Sequence, residues 1–273
     1  MKVVTFWHGG RLKNLNLLCL ASWLEQGYEV DLYHLDTLEN APEGVNLKNA
    51  EQVLSRDLMA KLEPIANPAR MPWQPIVSYS DLFRIKMLSM GLGIWMDTDM
   101  LLFKPIPVDA QKPFYAWDEP GCIGASIFYL PIDNLFLHDF LKVLNEPNLM
   151  PHWLGFKRRV LKPIMYKLRG KKYSPVDLGI TIYGNDAFTR LVKKHDMTTA
   201  ALPQQSFYYW LGKETLRFYE PSETLHLENL DNVYGFHVHR KGPADAKPQK
   251  GCLYDRMLAK HAHRLPKLAW VSP

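Results

Sequence analysis

The fold is decided by residues 80–99, which read SDLFRIKMLSMGLGIWMDTD. Apolar residues at core spacing follow a serine that can cap a first turn, so we predict a helix over residues 80–90, capped by Ser78 or Ser80. A Gly-Leu-Gly turn ends this helix, and Ile94-Trp95-Met96 is a short apolar run typical of a buried strand. The stretch therefore predicts a helix and then a buried strand that ends at an acidic triplet.

Two carboxylates follow that strand, at Asp97 and Asp99. Side chains two apart in a strand project to the same face, so we expect these two to converge while Thr98 points away. Open α/β sheets bind ligands at strand ends, and carboxylate oxygens suit a hard cation such as Mg²⁺ or Mn²⁺. Asp81 and Arg84 share one face of the preceding helix, where Arg84 could hold a phosphate or a sugar hydroxyl with Asp81 as its partner.

Each of these residues also has an ordinary structural interpretation. An Asp-x-Asp triplet is common in turns. Asp81 could be an N-terminal charge favoured by the helix dipole, and Arg84 could be a solvated helix residue. The order of the parts favours a functional site: an Asp-x-x-Arg helix, a glycine turn, an aromatic strand and then the acidic pair.

The rest of the chain predicts an α/β fold. Residues 2–7 are β-rich, residues 13–26 have a helical stripe, and residues 28–33 alternate like a strand, which together indicate a β–α–β unit with a right-handed crossover. A buried strand is expected at residues 124–129 and a helix at residues 186–195. We predict a Rossmann-like mixed, mainly parallel sheet flanked by helices, in a single domain.

Composition agrees with an ordinary globular enzyme, because the 273 residues are 47% hydrophobic and 22% charged. The cysteines, Cys19, Cys122 and Cys252, have neither disulfide nor zinc spacing, so a reducing compartment is the simplest interpretation. No apolar run is long enough to span a membrane, and the apolar N-terminal stretch is too short for a signal peptide. We expect a cytoplasmic protein, with peripheral contact to the inner face of the membrane as an option.

Positive charge is concentrated in residues 151–176, which contain eight basic residues and no acidic one. Apolar anchors beside cations suit an anionic lipid surface, whereas a solvated basic helix is the ordinary alternative. The tail, residues 241–273, is also basic. No nucleic-acid-binding motif is present, so nucleic acid is not an expected partner. The apolar side chains interleaved in the first segment are Trp153, Leu154, Phe156, Val160, Leu161, Ile164, Met165, Tyr166 and Leu168.

The motif at residues 80–99 resembles the DXD region of the family 32 sugar-nucleotide glycosyltransferases, which include bacterial capsular and lipopolysaccharide enzymes. It is also similar to the α-galactosyltransferases that extend lactosylceramide. Phe6-Trp7-His8-Gly9, Trp117-Asp118-Glu119 and the stretch 184–189 look like further parts of that family. Leu92 departs from the usual Gly-Gly pair, and the strand after Glu119 lacks an asparagine often seen there.

The resemblance implies a GT-A catalytic domain over residues 1–240. It implies a UDP-sugar-dependent hexosyltransferase that uses Mn²⁺, or Mg²⁺, and transfers sugar with retention of configuration to a saccharide or lipid-linked saccharide. Asp99 would bind the metal directly, and Asp97 the metal, the ribose or a sugar hydroxyl. The family also uses a late histidine as a metal ligand, and His237 fits that place better than His239 or His226.

The remaining candidates would contact the donor. Trp7 and Tyr33 lie at strand ends where uracil would stack, although both could equally be core residues. Asp118 and Glu119 are candidates for sugar hydroxyls, as are Asn185 and Asp186, which could instead cap a helix. The expected catalytic residues are Asp81, Arg84, Asp97, Asp99 and Asp186, and the expected donor-binding residues are Trp7, His8, Tyr33, Asp81, Arg84, Asp97, Asp118 and Asn185.

Two other functions are compatible with an Asp-x-Asp triplet. A phosphohydrolase would use the first aspartate as a nucleophile, but such enzymes usually have Gly-Thr after the second, where this chain has Met100-Leu101. A non-catalytic saccharide- or membrane-binding module would show no metal dependence and would tolerate loss of Asp99.

Overall fold

The structure is a computed structural model that describes residues 1–66, 68, 72–221, 226–239 and 244–270. The expected boundary between a catalytic domain at 1–240 and a tail at 241–273 falls on residues 240–243, outside the described residues. No helix in the described part of the chain combines the length and apolar character needed to cross a bilayer.

The described elements begin with a β–α–β unit, and helices and strands are mixed along the rest of the chain. The strands are β1 (Val3–Trp7), β2 (Val30–His34), β3 (Val45–Asn49), β4 (Ile94–Met96), β5 (Met100–Leu102), β6 (Tyr115–Glu119), β7 (Cys122–Ile123), β8 (Ile127–Phe128), β9 (Ala201–Leu202) and β10 (Gly235–His237). The α-helices are α1 (Asn14–Glu25), α2 (Leu58–Lys61), α3 (Gln74–Ser89), α4 (Leu135–Leu141), α5 (Lys162–Leu168), α6 (Asn185–Lys194) and α7 (Leu253–Lys260). A π-helical turn, Lys157–Leu161, runs directly into α5.

The central sheet has the strand order β3-β2-β1-β4-β8. Strands β1 to β4 are parallel to their neighbours, and β8 is antiparallel to β4. From β1 the chain moves outward to β2 and β3, and then returns to β4 on the other side of β1. The strand order therefore reverses between β1 and β4, and the carboxyl ends of strands at such a switch point form a ligand crevice. The α/β class with a mainly parallel sheet flanked by helices is confirmed.

Hydrophobic layers cover both faces of this sheet. Helix α1 is buried on every side from Asn14 to Trp23, because β5 packs against it as well as the sheet. Helix α3 covers the opposite face, where Phe83 packs on Phe6 and Trp95 at ring-centroid distances of 5.3 and 6.1 Å. The switch point lies between these two layers, so side chains from α1 and α3 can both reach it.

Most of the predicted elements are present, with two boundary errors. Helix α3 begins at Gln74 rather than Ser80, because Pro75 is tolerated in a first turn whose N–H groups need no helical partner. The predicted cap at Ser78 or Ser80 is therefore wrong, since both serines lie inside the helix. The strand expected at residues 124–129 is reduced to β8. Gly93, at a φ of +144°, makes a close approach to the Lys2 carbonyl that a Cβ would block.

Candidate active site

The acidic triplet forms a turn between β4 and β5. The Met100 N–H donates to the Asp97 carbonyl at 2.9 Å, so the two carboxylates converge through this turn and not through strand alternation as expected. Asn16 of α1 holds the turn, because its side-chain N–H₂ donates to the Thr98 carbonyl at 3.1 Å and contacts the Thr98 hydroxyl at 3.2 Å. The Asp97 N–H donates to the Ser126 carbonyl at 2.7 Å. Neighbouring elements therefore fix the turn on two sides.

His237 reaches the same place from the other end of the chain. Strand β10 pairs antiparallel with β5, in a register that sets His237 opposite Met100, and the Val238 N–H donates to the Asp99 carbonyl at 2.9 Å. The His237 Nε2 lies 3.3 Å from Asp99 Oδ1. Burial alone would lower the pKa of His237, but the carboxylates of Asp99, Asp97 and Asp118 outweigh it and raise that pKa.

Asp97, Asp99 and His237 form a candidate metal site. One ligand atom from each residue lies within 4.8 Å of the others. Among the described residues, this is the one group of three or more histidine, cysteine or acidic side chains that lie close enough together to hold a metal ion. Two carboxylates and one imidazole are a donor set that fits a divalent cation such as Mn²⁺. His239 lines a cavity near the cluster, with its ring 5.6 Å from that of His237, but it is not part of the three-residue group and contacts the Thr215 hydroxyl at 3.4 Å. His226 pairs with Glu228 at 3.2 Å.

Arg84 is buried between two of the carboxylates, with 6% of its surface exposed. Its Nη2 lies 3.2 Å from Asp81 Oδ1 and 3.4 Å from Asp97 Oδ1, and its Nη1 donates to the Ala125 carbonyl. Its guanidinium carbon lies 4.8 Å from the centre of the Trp95 ring. These contacts exclude the interpretation of Arg84 as a solvated helix residue.

Asp81 is a buried carboxyl well inside α3, so the interpretation as an N-terminal helix charge is also excluded. Burial raises its pKa to about 7, with Asp97 adding to the rise and Arg84 opposing it. Gly184 leaves room for this carboxylate, because a Cβ at residue 184 would come within 2.9 Å of Asp81 Oδ2. The guanidinium of Arg84 is thus shared between the carboxyl groups of Asp81 and Asp97.

A smaller cavity of about 350 Å³ lies at the carboxyl ends of β1 and β4. Trp7 and His8 line it from β1, and Trp95 lines it from β4. Two of the lining residues have a buried N–H group without a hydrogen-bond partner among the described residues. These groups are Trp7 Nε1 and Arg84 Nε. Buried donors are normally paired, so these two are suited to the acceptor atoms of a ligand. His8 pairs with Asp36 at 2.8 Å.

A larger cavity of about 770 Å³ adjoins the first, and both are lined by Val77, Arg84 and Asp97. Asp118 and Asn185 line the larger cavity together, with the Asn185 amide donating to Asp118 Oδ2 at 2.9 Å. Burial raises the pKa of Asp118. The metal candidates therefore lie at the junction of two cavities.

Asp186 also lines the larger cavity, but both of its oxygens are already paired. Arg158 Nη1 lies 2.7 Å from Oδ2 and Arg190 Nε lies 2.9 Å from Oδ1. Asp186 is therefore a less available partner for a sugar hydroxyl than Asp118.

The structure places Tyr33 away from both cavities. It is 4% exposed and packs on Phe83 at 5.3 Å in the hydrophobic core, which does not agree with stacking on a base. Sequence reasoning missed two contributors, Asn16 and Ser126. Asn16 is one of the few polar residues in a mostly apolar buried helix, which is a usable signal, whereas nothing in the sequence marks Ser126, whose hydroxyl lies 3.1 Å from His237 Nε2.

Comparisons with known proteins find similarity in structure and none in sequence. No family model matches the sequence, and no curated protein matches it. Among solved structures, the chain is similar to the PaToxG glycosyltransferase, with a TM-score of 0.41 and 13% identity over 71% of this chain and 67% of that one. A similarity of this extent leaves the function to be inferred from the site itself.

Proposed function

We propose that the protein is a metal-dependent hexosyltransferase of GT-A type that moves a sugar from a UDP-sugar to a saccharide acceptor with retention of configuration. The observation that carries the proposal is the Asp97, Asp99 and His237 cluster at the junction of two cavities. The cluster lies beside the switch point of a mainly parallel sheet, where ligands of open α/β sheets bind.

The charge of the cleft supports a cation and an anionic substrate together. Arg84 is the one lysine or arginine among the described residues that line either cavity, against six acids. A diphosphate would be repelled by such a surface unless a cation entered with it. The acidic lining residues are Asp81, Asp97, Asp99, Asp118, Glu119 and Asp186.

Asp97, Asp99 and His237 would hold the cation, and a mixed oxygen and nitrogen donor set favours Mn²⁺ over Mg²⁺, which prefers oxygen alone. When bound, the metal supplies charge neutralisation for the diphosphate leaving group, where negative charge develops as the anomeric bond breaks. Arg84 would hold a phosphate oxygen on the same side, kept in place by Asp81 and the Ala125 carbonyl.

The two cavities would divide the substrate between them. The smaller one would take the nucleoside, because the aromatic side chain of Trp7 lines it at the end of β1 and its indole N–H has no partner among the described residues. The larger one fits the donor sugar and the acceptor, with Asp118 and Asn185 as partners for sugar hydroxyls. In front-face transfer the departing diphosphate accepts the proton of the acceptor hydroxyl, so no protein base is required. A role in bacterial capsule or lipopolysaccharide assembly is proposed on the sequence resemblance alone.

The test is UDP release from a panel of UDP-sugars, with Mn²⁺ or with EDTA, for the wild type and Asp99→Asn. We expect turnover of one donor that requires Mn²⁺ and is lost in Asp99→Asn. His237→Ala should weaken Mn²⁺ binding, whereas His239→Ala, two residues along the same chain segment, should retain it. Release of inorganic phosphate instead of UDP would indicate a phosphohydrolase, and saccharide binding without metal or turnover would indicate a binding module.

A further inference from the structure

A basic helical segment, residues 156–172, lies on the surface of the protein. Its helical part runs from Lys157 to Leu168 through the π-helical turn and α5, and none of these residues, all of which the structure describes, is buried. Trp153, Leu154 and Tyr166, which were expected from the sequence among the apolar anchors, are not part of this surface. Tyr166 turns towards the protein. Trp153 and Leu154 are 8% and 5% exposed and belong to the hydrophobic core, so their assignment to a membrane surface is wrong.

Polar side chains attach this segment to the protein. Arg158, Lys162 and Tyr166 are four residues apart and therefore lie on one helical face. Arg158 pairs with Asp186, Lys162 Nζ donates to the Leu178 carbonyl at 2.9 Å, and the Tyr166 hydroxyl donates to the Asp177 carbonyl at 3.2 Å. The inward face of the helix is thus held by hydrogen bonds and an ion pair.

The apolar side chains face away from the protein. Leu161, Ile164, Met165 and Leu168 have the spacing of a single stripe, and they are 44%, 48%, 48% and 82% exposed. Phe156, one π-helical turn earlier, is 68% exposed. A surface helix ordinarily buries its apolar stripe against the core, and this one does the opposite. A contiguous exposed apolar surface of this kind marks an interaction site.

Cations flank the exposed stripe. An apolar groove of about 490 Å³ runs beside it, lined by Ile65, Pro163, Ile164 and Tyr173 together with three lysines. Residues 151–176 contain no acid that could offset this charge. The exposed cations of the segment are Lys157, Arg159, Lys167, Arg169, Lys171 and Lys172.

An anionic bilayer offers both kinds of partner that this surface requires. Acyl chains match the apolar stripe, and lipid phosphates match the flanking lysines and arginines. A second copy of the chain fits less well, because a symmetric dimer through this face would oppose the same cations to each other.

We propose that the basic helical segment docks the protein on anionic membranes. The segment is attached to the wall of the larger cavity through the Arg158–Asp186 pair, and Ile180, which lines that cavity, is 45% exposed. Docking therefore places the larger cavity next to an element that contacts the lipid surface. Given the proposed transferase function, on which this second step rests, the acceptor is a lipid-linked saccharide.

The test is flotation of the full chain with vesicles of phosphatidylcholine alone or mixed with phosphatidylglycerol, at low and high salt. We expect binding that requires phosphatidylglycerol and weakens with salt. The double variant Lys171→Gln/Lys172→Gln should bind about fivefold more weakly for each cation removed. Lys112→Gln, an exposed lysine far along the chain from the segment, is the matched control and should bind like the wild type.

The apolar stripe is tested by Ile164→Gln/Leu168→Gln, which we expect to reduce vesicle binding at least about tenfold because four or more buried methylene groups are lost from the contact. The control is Ile132→Gln/Leu135→Gln, a pair outside the segment that is 52% and 68% exposed and should bind normally. Binding that ignores phosphatidylglycerol, or that both double variants leave unchanged, overturns the proposal. So does a dimer that Ile164→Gln/Leu168→Gln dissociates in the absence of any vesicle binding.

Failure of the proposed transferase function is separable from failure of docking. Asp99→Asn should bind vesicles like the wild type, because the metal cluster is not part of the docking surface. If docking holds and UDP-sugar turnover does not occur, only the transferase proposal fails.

Discussion

Two buried aspartates of this protein have nearly the same exposure and opposite electrostatic surroundings. Asp139 in α4 is 4% exposed and contacts Lys142, Lys194, His152 and His195. Burial would raise its pKa, but the hydrogen bonds from the two lysines and His195 outweigh burial and hold the pKa well below its usual range. Asp81 in the cleft is 5% exposed, has Arg84 as its cationic partner, and has a pKa raised to about 7.

The difference separates scaffold from site. At Asp139 the protein supplies more positive charge than the carboxylate requires, so the cluster is complete and ties α4 to α6. In the cleft, one guanidinium serves Asp81 and Asp97, while Asp99 and His237 share a contact of 3.3 Å. Sharing one guanidinium between two carboxylates costs stability, and perturbed groups of this kind concentrate at functional sites. A bound cation would add positive charge beside Asp97.

Loss of one acid in each region should produce opposite phenotypes, and this is the largest effect expected. Asp99→Asn should lower metal-dependent turnover about a hundred- to a thousandfold, because transition-state charge is no longer neutralised. Its free energy of unfolding without metal should stay equal to that of the wild type or rise, since a carboxylate is removed from a crowded acidic site. Steady-state UDP release and urea unfolding of the same preparations measure both quantities.

Asp139→Asn should do the reverse. Four basic side chains lose their shared acceptor, and we expect the free energy of unfolding to fall by about 3 kcal/mol, as for a broken buried ion pair. Turnover per folded molecule should remain that of the wild type. A variant that is stable but inactive would assign Asp139 to the active site and would contradict the distinction between the two regions.

The contribution of Asp139 should depend on pH with a definite sign. Its pKa is lower in the folded than in the unfolded chain, so its stabilisation is present above the unfolded value of about 4 and is lost as the pH falls below it. The difference in unfolding free energy between wild type and Asp139→Asn should therefore shrink between neutral pH and acid. A difference that stays constant through that range would show that the ion pairs do not stabilise the fold.

A smaller effect is expected where the scaffold supports the site. Asn16→Ala should weaken Mn²⁺ affinity about tenfold, because the Thr98 turn loses the donor that fixes it and the two carboxylates are held less firmly. Asn14→Ala is the matched control, since Asn14 lies in the same helix and donates to the Ala269 carbonyl instead. Equal Mn²⁺ affinities in the two variants would show that Asn16 does not position the carboxylates.

How far the sequence predicts this arrangement depends on the range of each contact. The β–α–β order and the Asp97 and Asp99 pair were recognisable because their residues are close in the chain. The start of α3 was not, since Pro75 and the later serines conceal the first turns of a helix that is stabilised by packing on β1 and β4. Local spacing also predicted the right pair of carboxylates for the wrong reason. They were expected to converge through strand alternation, but they converge in a turn.

Contacts between distant residues were the least predictable. His237 was expected as a metal ligand from the family resemblance and not from local spacing, and it joins the cluster because β10 pairs with β5. Asn16 was not expected, and it reaches the turn because α1 packs against β5. Trp7 and Tyr33 are both aromatic residues near strand ends, so the sequence could not distinguish their roles. Trp7 lines a cavity, whereas Tyr33 lies in the core. The direction of a side chain at a strand end is decided by tertiary packing. The residue pattern of a single strand does not predict that packing.

The most direct test of the central claim is calorimetric titration of UDP into the wild-type protein, with Mn²⁺ present and again with EDTA. The charge of the cleft predicts saturable UDP binding with Mn²⁺ and none with EDTA, and loss of the Mn²⁺-dependent binding in Asp99→Asn but not in Asp139→Asn. UDP binding that is equal with Mn²⁺ and with EDTA, or no binding in either condition, would contradict the claim that Asp97, Asp99 and His237 hold a cation for a nucleotide diphosphate.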